Sequence, residues 1–198
     1  MPSTRKTNDM KTYRVNEIFG SLQGEGRNTG RAAVFVRFSG CNLKCAFCDT
    51  DFAAYQTMTA DDIVAEASRY EARLAVLTGG EPTLQVDATL IDRLHQAGFE
   101  VAMESNGTRL PPANLDWLTV SPKTQPAVSR CNELKVLFSD NTTDPTDYGV
   151  QADYYYLQPC DTGNADRNAR ITRRCVEYIE RHPRWRLSLQ THKLIDIK

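Results

Sequence analysis

The amino-acid sequence predicts an α/β fold: a partial, open and trimmed TIM-like βα barrel with its site at the C-terminal ends of the strands. Three observations predict it. Apolar strand-like segments alternate with amphipathic helical segments, as βα units on a parallel sheet do. About seven strands face only three clear helices, too few for a closed eightfold barrel. Unusual polar sequences also follow one strand after another: CNLKCAFC, TGGEP, ESNGT, SPK, QPCD and QTHK. In parallel α/β folds those strand ends share one edge, so the loops are expected to converge on one cavity.

The elements follow in order. Residues 1–12 are polar, lack the apolar core of a secretory leader, and are expected to be a disordered tail. Residues 13–198 are expected to form a single domain. YRVNEIF alternates as a first strand, and SLQGEGRNTG reads as a Gly-rich loop. AAVFVRF (32–38) reads as a buried strand ending before the cysteines. Thr59 offers a helix N-cap, Asp61 and Asp62 an acidic first turn, and Ile63, Val64, Ala67 and Tyr70 one apolar face. Residues 74–77 form a short strand running into TGGEP. A second helix starts near Asp87 with the stripe Leu90, Ile91, Leu94 and Ala97, and Gly98 ends it. Residues 99–103, then LDWLTVSPK, ELKVLF and DYYYLQP, read as strands. NARITRRCVEYIERHP is a helix with Ile171, Cys175, Tyr178 and Ile179 inward, and WRLSLQTH is the last strand.

Composition narrows the function. The net charge of −1 points to neither a general nucleic-acid binder nor a membrane-surface binder. The apolar runs are far shorter than the roughly 20 residues a membrane span requires. A cytoplasmic chain is therefore expected, in which clustered thiols bind metal or do redox chemistry rather than form disulfides.

Three of the six cysteines, Cys41, Cys45 and Cys48, crowd into one C-x3-C-x2-C loop. Clustered thiolates suit iron–sulfur or zinc. Three can hold three corners of a cubane and leave one iron open to another ligand. A zinc site would need a distant fourth ligand, His192 or Cys160. Free thiols are the third reading.

The triplet, with Phe47 before its last cysteine and TGGEP at 78–82, resembles the radical S-adenosylmethionine superfamily. Gly79 and Gly80 lack a Cβ, so the backbone there can approach a ligand closely. NEIF, SLQGEG, CDT, SPK, LQP and LQTHK extend the likeness across residues 13–198. Together they resemble the 7-carboxy-7-deazaguanine synthase family.

That resemblance implies a carbon–nitrogen lyase of 7-deazapurine (queuosine-type) biosynthesis. It would contract the ring of 6-carboxy-5,6,7,8-tetrahydropterin to 7-carboxy-7-deazaguanine and release ammonia. Cys41, Cys45 and Cys48 would hold a [4Fe-4S] cluster whose open iron takes S-adenosylmethionine, the source of a 5′-deoxyadenosyl radical. The cofactor maps onto Phe47, Cys48, Asp49, Gly80, Ser121, Pro122, Lys123 and Gln158. The pterin maps onto Leu22, Gln23, Gly24, Arg37, Thr78, Glu104, His192 and the carboxylate of Lys198. Arg37 suits a carboxylate because its fork pairs bidentately. Thr50 matches the family's Mg2+ ligand, and a hydroxyl oxygen suits that hard cation. The resemblance further implies a homodimer and an electron donor such as flavodoxin or ferredoxin. The ending HKLIDIK departs from the family's frequent HKYxxIP, with Lys198 in place of proline.

Ordinary explanations compete. Arg37 also fits a surface charge, Glu104 a turn cap and His192 a structural histidine. His95 and His182 receive no role. Cys131 and Cys160 read as buried small side chains, and Cys175 as part of its helix stripe. LQGEG lacks the lysine and spacing of a P-loop. Two other functions share the cysteine triplet: a glycyl-radical activating enzyme of the same superfamily, and a zinc-bound interaction module.

Overall fold

The computed structural model describes residues 11–45 and 54–198. The strands are β1 (Thr12–Leu22), β2 (Ala32–Phe38), β3 (Gln56–Thr59), β4 (Leu74–Gly79), β5 (Glu100–Ser105), β6 (Trp117–Val120), β7 (Arg130–Phe138), β8 (Gln151–Pro159) and β9 (Trp185–Leu187). The helices are α1 (Ala60–Ala67), α2 (Ala88–Gln96), α3 (Ala165–Arg181) and the single turn α4 (Thr191–Leu194). The described residues form one nine-stranded sheet ordered β3-β1-β2-β4-β5-β6-β7-β8-β9. The partners β2–β4 through β8–β9 are all parallel. The sheet is open, as the shortage of helices predicts.

Helix starts follow their capping signals. Thr59 and Asp62 form a capping box at α1, and the carboxylate of Asp87 accepts Leu90 N–H at α2. One sheet face is apolar and carries the helices: Val34, Val36, Leu77, Met103, Leu134 and Leu157 pack with Ile63, Leu90, Ile91 and Ile171. The other face is polar near the C-terminal strand ends. Cross-strand register sets Glu17 beside Arg37, Arg37 beside Thr78, Glu104 beside Thr119, Thr119 beside Glu133, and Leu137 beside Gln158. Alternation along each strand therefore places one polar row on the inner face.

Four features differ from the sequence expectation. β1 pairs antiparallel with both β2 and β3, because the connection from residue 23 to 31 is too short for a parallel crossover. β1 also begins at Thr12 and runs through Ser21-Leu22, and Lys11 already bonds Asp87. β3 is an unexpected edge strand, half-exposed, whose apolar signal is Met58 alone. The last strand stops at Leu187, so QTHK opens α4 instead of ending a strand.

The edge loops are tied together. Glu81 is 0% exposed and its carboxylate accepts Thr83 N–H, Thr83 Oγ1–H, Ser105 Oγ–H and Asn106 N–H. Gly80 N–H donates to Phe38 O and Glu81 N–H to Gly40 O, each at 2.9 Å. The buried carboxylate thus joins TGGEP to ESNGT, and the Glu81 backbone ties the same turn to Gly40 at the start of the cysteine loop. Glu81→Ala leaves these donors without their acceptor and is expected to cost about 3 kcal/mol, read by urea unfolding. A change within a few tenths of a kcal/mol would show that the latch contributes nothing.

Candidate active site

Two cavities open on the C-terminal strand edge. The first, of about 220 Å3, lies among β1, β2, β4, β5 and the segment around α4. All eight residues predicted to bind the pterin line it. Leu22, Gln23 and Gly24 come from the end of β1, and Arg37, Thr78 and Glu104 from three adjacent strands. His192 and Lys198 come from the C-terminal segment. Gly24 packs against His192 so closely that an added Cβ would lie 2.1 Å from its Nδ1.

The second cavity, of about 410 Å3, holds Ser121, Lys123 and Gln158 of the predicted cofactor set. Glu25, Thr78, Glu104 and Gln190 line both cavities, so the two adjoin. Gly80 and Pro122 line neither. Gly80 gives its N–H to Phe38 O, and Pro122 is buried. Gly79 lines the first cavity, but its missing Cβ serves packing. At φ 107° an added Cβ would sit 2.5 Å from both N and O of Phe38.

Cys41 and Cys45 stand half-buried at this edge. Cys48, Phe47, Asp49 and Thr50 lie outside the described residues. Among the described residues no three His, Cys, Asp or Glu side chains converge as a metal site. His192 lines the first cavity and Cys160 the second, so neither shares a described ligand cluster with Cys41 and Cys45. The soft donor set at 41, 45 and 48 suits an iron–sulfur cluster.

Charge between the cavities centres on Lys135. Its side chain is 5% exposed, and Nζ lies 2.5 Å from Glu25 Oε2 and 2.9 Å from Glu104 Oε2. Burial opposes its charge, but Glu104, Glu25 and Glu133 together hold it protonated. Burial likewise opposes ionisation of Glu25, yet Lys135 and a hydrogen bond from Gln190 hold that carboxyl at about 2. Glu133 differs: burial, reinforced by Glu104, pushes it up to about 7. Burial and the nearby Lys135 lower Lys123 to about 8, while its ammonium donates to Ser121 O and Oγ.

Arg37 sits half-buried over the Phe19 ring, with Nε 3.2 Å from Glu17 Oε1. That Nε is buried and makes no hydrogen bond among the described residues. Glu17 also pairs with the Lys198 ammonium, and Ser21 Oγ donates to Lys198 O at 2.5 Å. Phe19 and Phe35, stacked on each other at 5.1 Å, also line the first cavity.

Several site residues escaped sequence reading: Phe19, Phe35, Glu25, Gln190, Glu133 and Lys135. Glu133 and Lys135 carried a signal, since ELKVLF sets two charges at alternate positions of a buried strand, hence on one face. The remaining residues behave as read, with one exception. Burial pushes the Cys131 and Cys175 thiols up to about 12, as inert packing side chains. His95 bonds Asp116 at 2.8 Å, and His182 stacks on Tyr178. Cys160 is the exception: it is half-exposed and lines the second cavity, because β8 ends at Pro159 before reaching it.

An open, largely parallel sheet, with a cysteine loop after β2 and a glycine turn at the end of β4, defines a radical S-adenosylmethionine enzyme. The Radical SAM superfamily profile matches residues 35–126. A 7-carboxy-7-deazaguanine synthase from Bacteroides thetaiotaomicron is 51% identical over 187 residues, spanning 93% of this chain and 98% of that one. The synthase of Bradyrhizobium diazoefficiens is 43% identical, spanning 94% and 100%. The crystal structure of QueE from Escherichia coli superposes with a TM-score of 0.73 at 30% identity, covering 90% of this chain and 93% of that one. The chain belongs to the 7-carboxy-7-deazaguanine synthase family. That membership sets aside the glycyl-radical activase and the zinc module.

Replacing Lys135 by Met strands the surrounding carboxylates in a buried site. The expected cost is about 3–5 kcal/mol at pH 7. Glu25 is held below its ordinary value, so its contribution is present above about pH 4.5 and fades as pH falls toward 2. The stability gap between wild type and Lys135→Met should therefore shrink steadily from pH 5 to 3. Denaturant midpoints across that range check it, and a gap constant with pH would refute the ionic account.

Proposed function

We propose that the chain converts 6-carboxy-5,6,7,8-tetrahydropterin to 7-carboxy-7-deazaguanine and ammonia, in 7-deazapurine biosynthesis. One observation carries the reading. A cavity walled by Arg37 and by the hydrogen-bonded pair Glu104 and Gln23 adjoins a second cavity lined by Ser121, Lys123 and Gln158.

Arg37 lines the cavity and receives the substrate carboxylate, which competes with Glu17 for the guanidinium: Nε lies 3.2 Å from Glu17 Oε1 without an aligned hydrogen bond. Glu104 and Gln23, joined by a 3.3 Å hydrogen bond, face the donor-rich pterin edge. Unpaired polar groups in such a pocket are costly, so an analogue lacking those donors is rejected. Phe19 and Phe35 add apolar lining to the same cavity. Thr78 stands between the two cavities, and His192 and the Lys198 carboxylate close the first from the C-terminal side.

Cys41, Cys45 and Cys48 hold the [4Fe-4S] cluster, and Ser121, Lys123 and Gln158 line the S-adenosylmethionine cavity. The cluster and S-adenosylmethionine, when bound, supply the radical that takes a hydrogen from the pterin. Thr50 ligates Mg2+. The working unit is the single domain 13–198, taken as a cytoplasmic homodimer served by a flavodoxin- or ferredoxin-type donor. No helix among the described residues is long and apolar enough to cross a membrane.

Anaerobically reconstituted protein given the pterin, S-adenosylmethionine, reductant and Mg2+ is expected to form 7-carboxy-7-deazaguanine, seen by mass and absorbance. Absence of product overturns the reading. Thr50→Ala should lower the Mg2+-dependent rate while iron and sulfide per chain stay unchanged. Loss of cluster, or an undiminished rate, would remove Thr50 from its role.

A further inference from the structure

Glu133 is the buried charge that the proposed chemistry leaves unused. It is 2% exposed on the inner face of β7. Its Oε2 accepts the backbone N–H of Arg27 at 2.8 Å. Gly26, at φ +64°, lies against the same carboxyl, where an added Cβ would come within 1.9 Å of Oε1. Gly26 N–H continues to Ser188 Oγ at 3.0 Å, and Ser188 Oγ–H to Gln158 Oε1 at 3.0 Å. The turn after Glu25 is therefore seated on one carboxyl. Glu25, the next residue back, lines both cavities and bonds Lys135 and Gln190.

We infer that Glu133 is the positioning residue of the QGEG turn: it holds residues 26 and 27 by the backbone and so aims Glu25 at the junction of the two cavities. This rests on the first cavity taking the pterin. A hydrocarbon side chain would fill the space but leave Arg27 N–H without its acceptor. Glycine at 26 is required because no other residue fits between turn and carboxyl.

The groups facing Glu133 are Lys135 on its own strand, Glu104 from β5, Glu25 and Arg27 from the turn, and Tyr154 across from it on β8. Burial, with the Glu104 carboxylate close by, raises Glu133 so that it changes charge near neutral pH, while Lys135 is already paired with Glu25 and Glu104. Ionised, it competes with Glu25 and Glu104 for Lys135. Protonated, it leaves both paired and still accepts from Arg27 through its second oxygen.

The test uses the full chain with its cluster reconstituted, in three variants: Glu133→Gln, Glu133→Ala and Gly26→Ala. Two quantities are measured: hydrogen exchange in residues 23–28, and the Kd for 6-carboxy-5,6,7,8-tetrahydropterin from pH 6 to 9. Glu133→Ala and Gly26→Ala are expected to speed exchange of the Arg27 amide and weaken binding on the order of tenfold to a hundredfold, the loss of one hydrogen bond to a charged group. Glu133→Gln keeps an acceptor, so slow exchange and affinity should be restored to within about threefold. Wild-type affinity should fall as pH rises through neutrality, and that inflection should vanish in Glu133→Gln. A Gln variant as damaged as the Ala variant, or an Ala variant with wild-type exchange and affinity, overturns the inference. Should Glu133→Ala not fold, Gly26→Ala against Glu133→Gln makes the same comparison. If wild type binds no pterin while exchange follows the expected order, the pocket reading falls and the assignment of Glu133 stands.

Discussion

A single ammonium group, Lys135 Nζ, ties the floor of this sheet to its rim. Removing a lysine from water costs several kcal/mol, and the cost is recovered only with close partners and good geometry. Lys135 has two such partners, and they come from different places. Glu104 lies two strands away on β5, across the inner face of β6, and Glu25 lies on the turn after β1. One buried charge thereby fixes the distance between a central strand and a loop near the sheet's open side. The wall between the two cavities is built from these partners.

The rest of the edge follows from the separation of faces. The outer face carries aliphatic side chains and the helices, which leaves the inner face free for polar groups. Parallel strands bring their C-terminal ends to one side, and local bonds then join the loops that emerge there. Glu81 joins two of them, and Gly40 O receives Glu81 N–H beside the cysteines. The gap between β1 and β9 is spanned by the C-terminal segment. Thr191 gives both N–H and Oγ1–H to Gly24 O, and Lys193 pairs with Asp161. The site is enclosed by a covalently continuous strap although the barrel never closes.

Much of this was legible in the chain. The starts of α1 and α2 were, because a capping residue acts within four positions of its own sequence, whereas α3, capped by Asn164, begins three residues before the segment read as helical. The convergence of the polar loops after β4, β5, β6 and β8 was, because strand polarity dictates it, while QTHK reaches the same edge from α4. The motifs also named residues that share one cavity: residues as distant as Leu22 and Lys198 do meet there. The antiparallel entry of β1 was not, since the sequence marks a loop's length more clearly than its path. Nor was β3, whose pairing with β1 rests on an edge that few apolar residues announce. Gly79 shows a subtler miss: its motif was readable, but the neighbour that requires a glycine is Phe38 backbone on another strand.

The sequence by itself determined the chemistry on offer: three thiols in one loop, a glycine turn, an arginine on a strand, and a set of motifs sufficient to name a family. These are local properties, carried by residue type and spacing. Tertiary structure alone decided which charges share a buried space. Glu25, Glu104, Glu133 and Lys135 span more than a hundred positions of sequence, yet each shifts or fixes the protonation of another. Coulomb energy in a dry site depends on separations of a few ångströms. Such distances exist only once the strands have been laid side by side.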